Sequence, residues 1–324
     1  MDYPLISIIL RTYKRSNKLE KCIENIIRQK YKNWELIIVD DNGIKSKYSG
    51  EAKKIIQKFK KINNPIWIIE HNENLGLCAA GNTGIEKANG EFIAFIDDDD
   101  EWEENKLFLQ INPMLKNKNI GIVFCGLRYI DLTRKNNKRI IFNLEENLFL
   151  GILKKGSGIC TSALLFRKEV LLKINGFDRN KLSSYTDFDL LLRASQITNH
   201  VEIREPLVNY YVDYEGISRN YKAKYEGKKI VLKRYKDYFI KFNLEKYFGS
   251  HLEVLADYAL LIDKRLGAIK YYTASLCMDP FVVKRYFKII ISILGGRKLY
   301  IFLLDKFSEK KFFWKIILLT LKLD

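Results

Sequence analysis

Histidine, proline and paired cysteine are scarce in this chain, and each scarcity removes a class of chemistry. Three histidines in 324 residues, His71, His200 and His251, stand far apart, which argues against a histidine metal triad and against a Ser-His-Asp triad. Five cysteines (Cys22, Cys78, Cys125, Cys160, Cys277) include no CxxC pair, a pattern that suits a reducing compartment rather than a disulfide framework or structural zinc. Five prolines and no low-complexity tract leave little scope for long disordered linkers. No apolar run reaches the ~18 residues of a membrane span. No Walker A loop or GxGxxG is present to cradle phosphate. The chain runs almost at once into strand-like LISIIL with no basic leader or cleavage site, so no secretory signal is expected and a cytoplasmic location is.

What is abundant is basic charge. The net charge is +17, and residues 220–324 hold 22 Lys+Arg against 10 Asp+Glu, or +12 of it. Such a segment suggests an anionic partner, membrane surface or nucleic acid, with a solvated helical surface as the plainer alternative. KRYKDYFIKF mixes aromatic and basic residues but fits no nucleic-acid motif, so no nucleic-acid partner is expected.

The first half alternates strand and helix patterns. SIIL and ELIIVD read as buried parallel strands, and NKLEKCIENIIRQ between them spaces Leu19, Cys22, Ile23, Ile26 and Ile27 as one helix face. EAKKIIQKFKKI (helix), IWIIEH (strand), LCAAGNTGIEKA (helix) and FIAFID (strand) continue the rhythm, which predicts βαβ units in a mostly parallel sheet. Ligands of such sheets bind beyond the carboxyl ends of the strands. Those ends carry RTYKR (Arg11–Arg15), Asp40-Asp41-Asn42-Gly43 and Asp97-Asp98-Asp99-Asp100-Glu101. From about Phe142 the pattern is less regular: SALLFRKEVLLKI predicts a strand leading into a helix, and TDFDLLLRAS another helix. Beyond Arg219 only helices are predicted, and DYALLIDKRLGAIKYYTASLCMDP has some likeness to a single tetratricopeptide-type hairpin.

Four consecutive aspartates repel one another, which raises their pKa values unless a counter-charge is supplied. A solvated acidic turn is one explanation. The apolar strand before the run and the Glu-Trp after it favour the other, a hard divalent cation, Mn²⁺ or Mg²⁺, on oxygen ligands that substrate phosphates complete. Such an ion stabilises charge on a departing diphosphate.

SIILRTYKRSNKLEKCIENIIRQKYKNWELIIVDDNG, NENLGLCAAGNTGIEKANGEFIAFIDDDDEW and GFDRNKLSSYTDFDLLLRAS together resemble the family 2 glycosyltransferases of GT-A fold, in the family's order over about the first 215 residues. The resemblance implies an α/β Rossmann-like sheet flanked by helices, with a catalytic domain over 1–219 (nucleotide-sugar half about 1–103, acceptor half about 104–219) and a basic helical region over 220–324. It implies inverting transfer from a nucleotide-activated sugar, most often a UDP-sugar, to a saccharide acceptor that many relatives carry on a lipid at the inner membrane face, in cell-surface polysaccharide synthesis. Thr12, Tyr13 and Arg15 are implied to frame the base and Asp41 to accept a hydrogen bond from it. Asp97 and Asp98 face the ribose and sugar, Asp99 binds the metal, and Asn74, Gly76, Asn82 and Gly84 lie against the donor. Asp187 takes the place of the general base. Inversion needs one carboxylate opposite the leaving group, and Asp187 and Asp189, two apart on a helix, point in different directions. The bland alternative is that Asp187 caps its helix.

Three residues depart from the family pattern: Arg11 for a usual proline, Gly81 for a common arginine, and Thr186 for the usual glutamate. A sugar nucleotidyltransferase would share the architecture but needs glycines after the first strand, and RTYKRSNK has none. In the last third, YFKIIISILGGRKLYIFLLDKFSEKKFFWKIILLTLKL interleaves apolar residues with lysines. Two readings stay open: an interfacial segment, apolar side down with lysines toward anionic lipid, or a helical subdomain packed on the catalytic domain or a second protomer of a homodimer.

Overall fold

The computed structural model describes residues 3–132, 136–156, 158–179, 182–212 and 220–306, and divides into two compact units, Met1–Arg219 and Asn220–Asp324. The first unit opens with β1 (Ile6–Thr12), α1 (Ser16–Ile27), β2 (Trp34–Asp40), α2 (Lys47–Gln57), β3 (Ile66–Glu70), α3 (Leu77–Lys87) and β4 (Phe92–Asp97). Every residue of β1 and β2 is buried, as expected for parallel strands covered on both faces by helices. Helix α1 buries Leu19, Cys22, Ile23 and Ile26, three of them fully, against the sheet. Helix α2 starts a turn before the predicted 51–62, because Ser46 caps it by accepting from the Ser49 N–H at 3.2 Å.

The chain continues through β5 (Glu101–Trp102), α4 (Lys106–Lys116), β6 (Ile120–Asp131), β7 (Asn136–Ile140), α5 (Leu148–Lys155), β8 (Leu164–Arg167), α6 (Lys168–Lys173), α7 (Thr186–Ala194) and β9 (Asn199–Val212). Among the described residues the strands form one sheet in the order β3-β2-β1-β4-β8-β6-β9-β5, with β7 on β6. Strands β3, β2, β1 and β4 are parallel, and β8 runs antiparallel to both β4 and β6. The chain leaves β1 for β2 on one side and returns to β4 on the other, so the sheet has its switch point at the tips of β1 and β4.

The second unit comprises α8 (Tyr221–Lys241), α9 (Glu245–Leu261), α10 (Arg265–Met278), α11 (Val283–Leu294) and α12 (Gly296–Lys306). Helices α9 and α10 are separated at Asp263, which adopts a positive φ of 64°, and they pack around Ala256, Ala259, Leu260, Ala268 and Tyr272. Beside that cluster the buried Glu253 carboxylate accepts from Arg285 Nε at 3.0 Å and Lys288 Nζ at 2.9 Å and pairs with Lys284 at 3.0 Å. Burial alone would raise the Glu253 carboxyl, but Lys288, with Arg285 and Lys284, outweighs it and brings the pKa to about 2. A depressed acid stabilises the fold above its unfolded value, here 4.5, and loses that contribution as pH falls toward 2.

Replacing Glu253 by Gln leaves buried cations without a carboxylate and is expected to cost the helical unit about 2–4 kcal/mol at pH 7. It should also flatten the loss of stability between about pH 4.5 and 2, measured by denaturant unfolding at several pH values. Wild-type stability in the variant would show that the network contributes nothing net.

Candidate active site

The β1–β4 register builds the site. Arg11 lies opposite Asp97 on β4, and on the other side Thr12 lies opposite Asp40 on β2. Three separate polar strand ends therefore meet at one edge of the sheet. Lys14, at positive φ of 56°, turns the chain off β1, and its N–H donates to Asn42 Oδ1 at 2.5 Å.

The four aspartates alternate between buried and partly exposed. Asp98 and Asp100 are buried, while the Asp97 and Asp99 side chains keep 28% and 16% of their exposure. Thr12 Oγ1 donates to Asp98 Oδ2 at 2.8 Å, and Arg15 Nη1 reaches Asp98 Oδ1 at 3.2 Å and also pairs with Asp99. Arg11 Nη2 donates to Asp97 Oδ1 at 2.5 Å and to Thr161 Oγ1 at 2.7 Å. Ser162 Oγ donates to Asp100 Oδ2 at 2.5 Å and accepts from the Asp97 N–H at 3.1 Å. The sequence predicts a metal as the counter-charge; within the protein itself Arg11, Arg15 and Lys18 supply positive charge. They do not fully compensate. Burial pushes the Asp98 carboxyl up to about 7 against the pull of Arg15, with Asp99 adding to the rise. Asp99 is raised as well, and Asp100 is raised well above the usual carboxylate range, in each case chiefly by burial.

Repulsion among the neighbouring aspartates adds to that rise, and a cation among these oxygens would relieve it. Among the described residues no three His, Cys, Asp or Glu side chains converge as a metal cage. What is present is hard carboxylate oxygen, partly exposed at Asp97 and Asp99, with Asp100 Oδ1 buried and without a partner. That donor set fits an ion held by one or two protein oxygens and completed by diphosphate and water, the habit of Mg²⁺.

Asp41 has a different occupation from the one the resemblance implies. Its Oδ1 accepts from His71 Nδ1 at 2.7 Å and the Leu75 N–H at 2.8 Å, and its Oδ2 from Asn74 Nδ2 at 2.9 Å and the Gly76 N–H at 2.8 Å. Four donors fill the capacity of one carboxylate. Asp41 thus knots the 71–76 loop to the tip of β2, and Gly76, at φ 90°, opens α3 from it. His71 Nε2 continues the chain of bonds to Thr83 Oγ1 at 2.9 Å. Tyr13, by contrast, is 42% exposed at the tip of β1, with Lys14 Nζ 5.0 Å from the centre of its ring.

Asn82 is buried and clamps the Gly-Phe turn before α7, donating to Phe177 O at 3.0 Å and accepting from the Phe177 N–H at 2.8 Å. Gly176 takes φ 63°, and a Cβ there would lie 2.2 Å from Asn82 Oδ1. The Phe177 ring fills the space beside Gly81, where a Cβ would come within 2.5 Å of it. The Arg11 guanidinium packs 5.5 Å from the centre of that same ring, with Nε and Nη1 buried and without hydrogen-bond partners. Two departures from the family pattern, Arg11 and Gly81, are therefore in one stack with Phe177 between them.

Asp187 stands in the first turn of α7. The cap position belongs to Tyr185 at φ 63°, with no side-chain cap, so Asp187 does not cap the helix. Its carboxylate is half-buried, accepts from the Phe188 N–H at 2.8 Å, and is raised to about 6 by burial and, further, by Asp97, against the pull of backbone N–H groups and Arg11. Asp189 is fully buried and committed to Arg193 Nε at 2.8 Å, and Arg193 in turn holds Ile174 O and Gly176 O, each at 2.7 Å. Only Asp187 of the two is open to a substrate. Thr186 is buried beside it. His71, Thr161, Ser162 and Phe177 escape sequence reasoning, since each is marked only by contacts across 12 to 150 positions of chain. An open polar depression of about 470 Å³, lined by Lys118, Asn119, Glu169, Lys173 and Thr198 among others, lies at the opposite edge of the sheet and holds none of the candidate residues.

The comparisons with known proteins agree with this architecture. Residues 7–174, about half the chain, match the sequence profile of the family described as Glycosyl transferase family 2. WfgD of Escherichia coli, named as a UDP-Glc:alpha-D-GlcNAc-diphosphoundecaprenol beta-1,3-glucosyltransferase, is 33% identical over 170 residues, 52% of this chain but only 62% of its own, under two thirds of that protein. S. aureus TarS (1–349), solved in complex with UDP, shares the fold at a TM-score of 0.65 and 14% identity, over 91% of this chain and 90% of that one. The mannosyltransferase PcManGT of Pyrobaculum calidifontis, solved with GDP-Man and Mn2+, does so at a TM-score of 0.54 and 15% identity, over 89% and 88% of the two chains. The chain belongs to glycosyl transferase family 2 and has the GT-A fold.

Proposed function

We propose that this glycosyltransferase moves a sugar from a nucleoside-diphosphate donor, a UDP-sugar by preference, to a saccharide hydroxyl with inversion. The observation that carries the reading is the run of raised carboxylates at the β4 tip, held at the switch point by Thr12 of β1 and by Arg15 just beyond it. The unit Met1–Arg219 is the catalytic domain, with the donor half in about 1–103 and the acceptor half in about 104–219. Tyr13 stacks on the base, and the loop tied by Asp41, Asn74 and Gly76 forms the floor beneath it. Thr12 and Arg15 orient Asp98, while Asp97 and Asp98 face the ribose and sugar. Asn82 acts through Phe177, fixing the turn that leads to Asp187. Asp99 holds Mn²⁺ or Mg²⁺, which when bound stabilises the charge that develops on the diphosphate.

Asp187 takes the proton of the acceptor hydroxyl as its oxygen attacks the anomeric carbon, and the bond from that carbon to the diphosphate oxygen breaks on the opposite face. A carboxyl raised to about 6 is a better base than an ordinary aspartate and is still ionised at pH 7. The activity for which WfgD is named supports a lipid-linked acceptor, as in bacterial cell-surface polysaccharide assembly at the inner membrane face, and the complexes of TarS with UDP and PcManGT with Mn2+ support the donor class and the metal.

Calorimetric titration with UDP should show binding strengthened by Mn²⁺, and Asp99→Ala should lose that metal-dependent part; binding indifferent to both metal and Asp99 would rule out the assigned ligand. Asp187→Ala should keep donor binding and lower transfer by about 10³-fold or more. Full transfer by that variant would remove it as the base. Since Asp187 must lose its proton to act, kcat/KM in the wild type should rise with pH through about 6 and level off above 7. A flat profile between pH 5 and 7 would contradict the assignment.

A further inference from the structure

Helix α11 is built inside out. Its buried face carries Arg285 and Ser292, and Lys288 turns the same way, toward Glu253 and Asp257 of α9, at 2.9 and 2.8 Å. Its outward face carries Val283, Tyr286, Phe287, Ile290, Ile293 and Leu294, all exposed, the last 74% so. Spacings of 3, 4, 7, 10 and 11 from Val283 put these six on one stripe with no charged residue in it. Phe281, just before the helix, is 89% exposed and extends the stripe. Together they leave on the order of 500 Å² of apolar surface uncovered, the upper end of what soluble monomers show.

The charge around the stripe selects its occupant. From Pro280 to Leu304 the sequence has no acidic residue and five basic ones, Lys284, Arg285, Lys288, Arg297 and Lys298. Arg285 and Lys288 are spent on α9, and Lys284, though 58% of its side chain is exposed, also pairs with Glu253 there, whereas Arg297 and Lys298 are exposed immediately beyond the stripe. A protein interface would be expected to add polar partners to such a face; an apolar strip followed at its C-terminal end by exposed Arg297 and Lys298 matches the boundary between acyl chains and anionic headgroups. No helix among the described residues is long and apolar enough to cross a membrane.

We propose that the outward face of α11 is a membrane-docking surface that seats the chain on anionic lipid. The strip enters the headgroup boundary lengthwise, the exposed cations contact lipid phosphate, and the ion network with α9 keeps the polar face of the helix out of the bilayer. The proposal deepens the reading of a lipid-linked acceptor, because a docked chain meets such an acceptor in two dimensions.

The test is co-sedimentation of the full-length protein with sonicated vesicles, without donor or acceptor, so that it is independent of catalysis. Vesicles of phosphatidylcholine with about 30% phosphatidylglycerol should bind the protein about tenfold better than pure phosphatidylcholine. The triple variant Phe287→Glu, Ile290→Glu, Ile293→Glu should lose at least about tenfold of that binding. UDP binding measured alongside should not change, which verifies folding and separates this proposal from the catalytic one. Arg297→Gln with Lys298→Gln should weaken binding to the anionic vesicles alone. Failure of the wild type to sediment, or equal sedimentation by the triple variant, would overturn the proposal. So would a dimer in analytical ultracentrifugation that the triple variant dissociates, since a second copy would then own the face.

Discussion

Four adjacent carboxylates at the end of β4 must be balanced by positive charge, and the tip of β1 is arranged around that requirement. Arg11 neutralises Asp97 from within the sheet, and Arg15 closes over Asp98 and Asp99 from the first turn beyond it. Because Arg11 and Asp97 are paired in the strand register, the same alignment that buries Ile8, Ile9, Phe95 and Ile96 also sets the charge pairing at the tip. Core packing and site assembly are one constraint here. Burial, with repulsion among the neighbouring aspartates, keeps Asp98, Asp99 and Asp100 raised despite these cations, and a bound cation would relieve the repulsion.

Around that centre two residues expected to meet the donor also hold the protein's own loops. Asp41 is filled by four donors of its own chain, and Asn82 is spent on Phe177. Both freeze a loop that borders the site, one below the expected base and one leading to Asp187. Pre-organisation of this kind costs buried polar groups, and each is satisfied: the carboxylate by amides and an imidazole, the amide by a backbone pair. The Arg11–Phe177–Gly81 stack follows the same logic. A side chain at 81 and the ring cannot share one space, so glycine there and the ring belong together.

The alternation of strands and helices in the first hundred residues was legible because parallel strands are apolar throughout and their helices are amphipathic. The acidic strand tip was legible for the opposite reason, since charge has no place in such a run unless it is used. The long β6 and β9 were not read. Strand β9 contains Arg204, Glu205 and Pro206, which interrupt any periodic pattern, and it accommodates them with a register shift against Cys125–Leu127. The partners of Arg15 were hidden for another reason: they are more than eighty residues away, and nothing local distinguishes an arginine that meets a base from one that meets an aspartate. In the helical unit two readings were open, an interfacial segment with its apolar side down and its lysines toward lipid, or a subdomain packed on protein. Lys288 instead points inward to α9, and apolar side chains take the outside.

The central claim, that these strand-tip carboxylates hold a divalent ion with the donor's diphosphate, is tested most directly by anomalous scattering from crystals grown with Mn²⁺ and UDP. The account predicts a manganese peak about 2 Å from an Asp99 carboxylate oxygen, with diphosphate oxygens completing its shell. UDP bound at the β1–β4 tips with no manganese beside Asp97–Asp100, or bound elsewhere on the sheet, would contradict it.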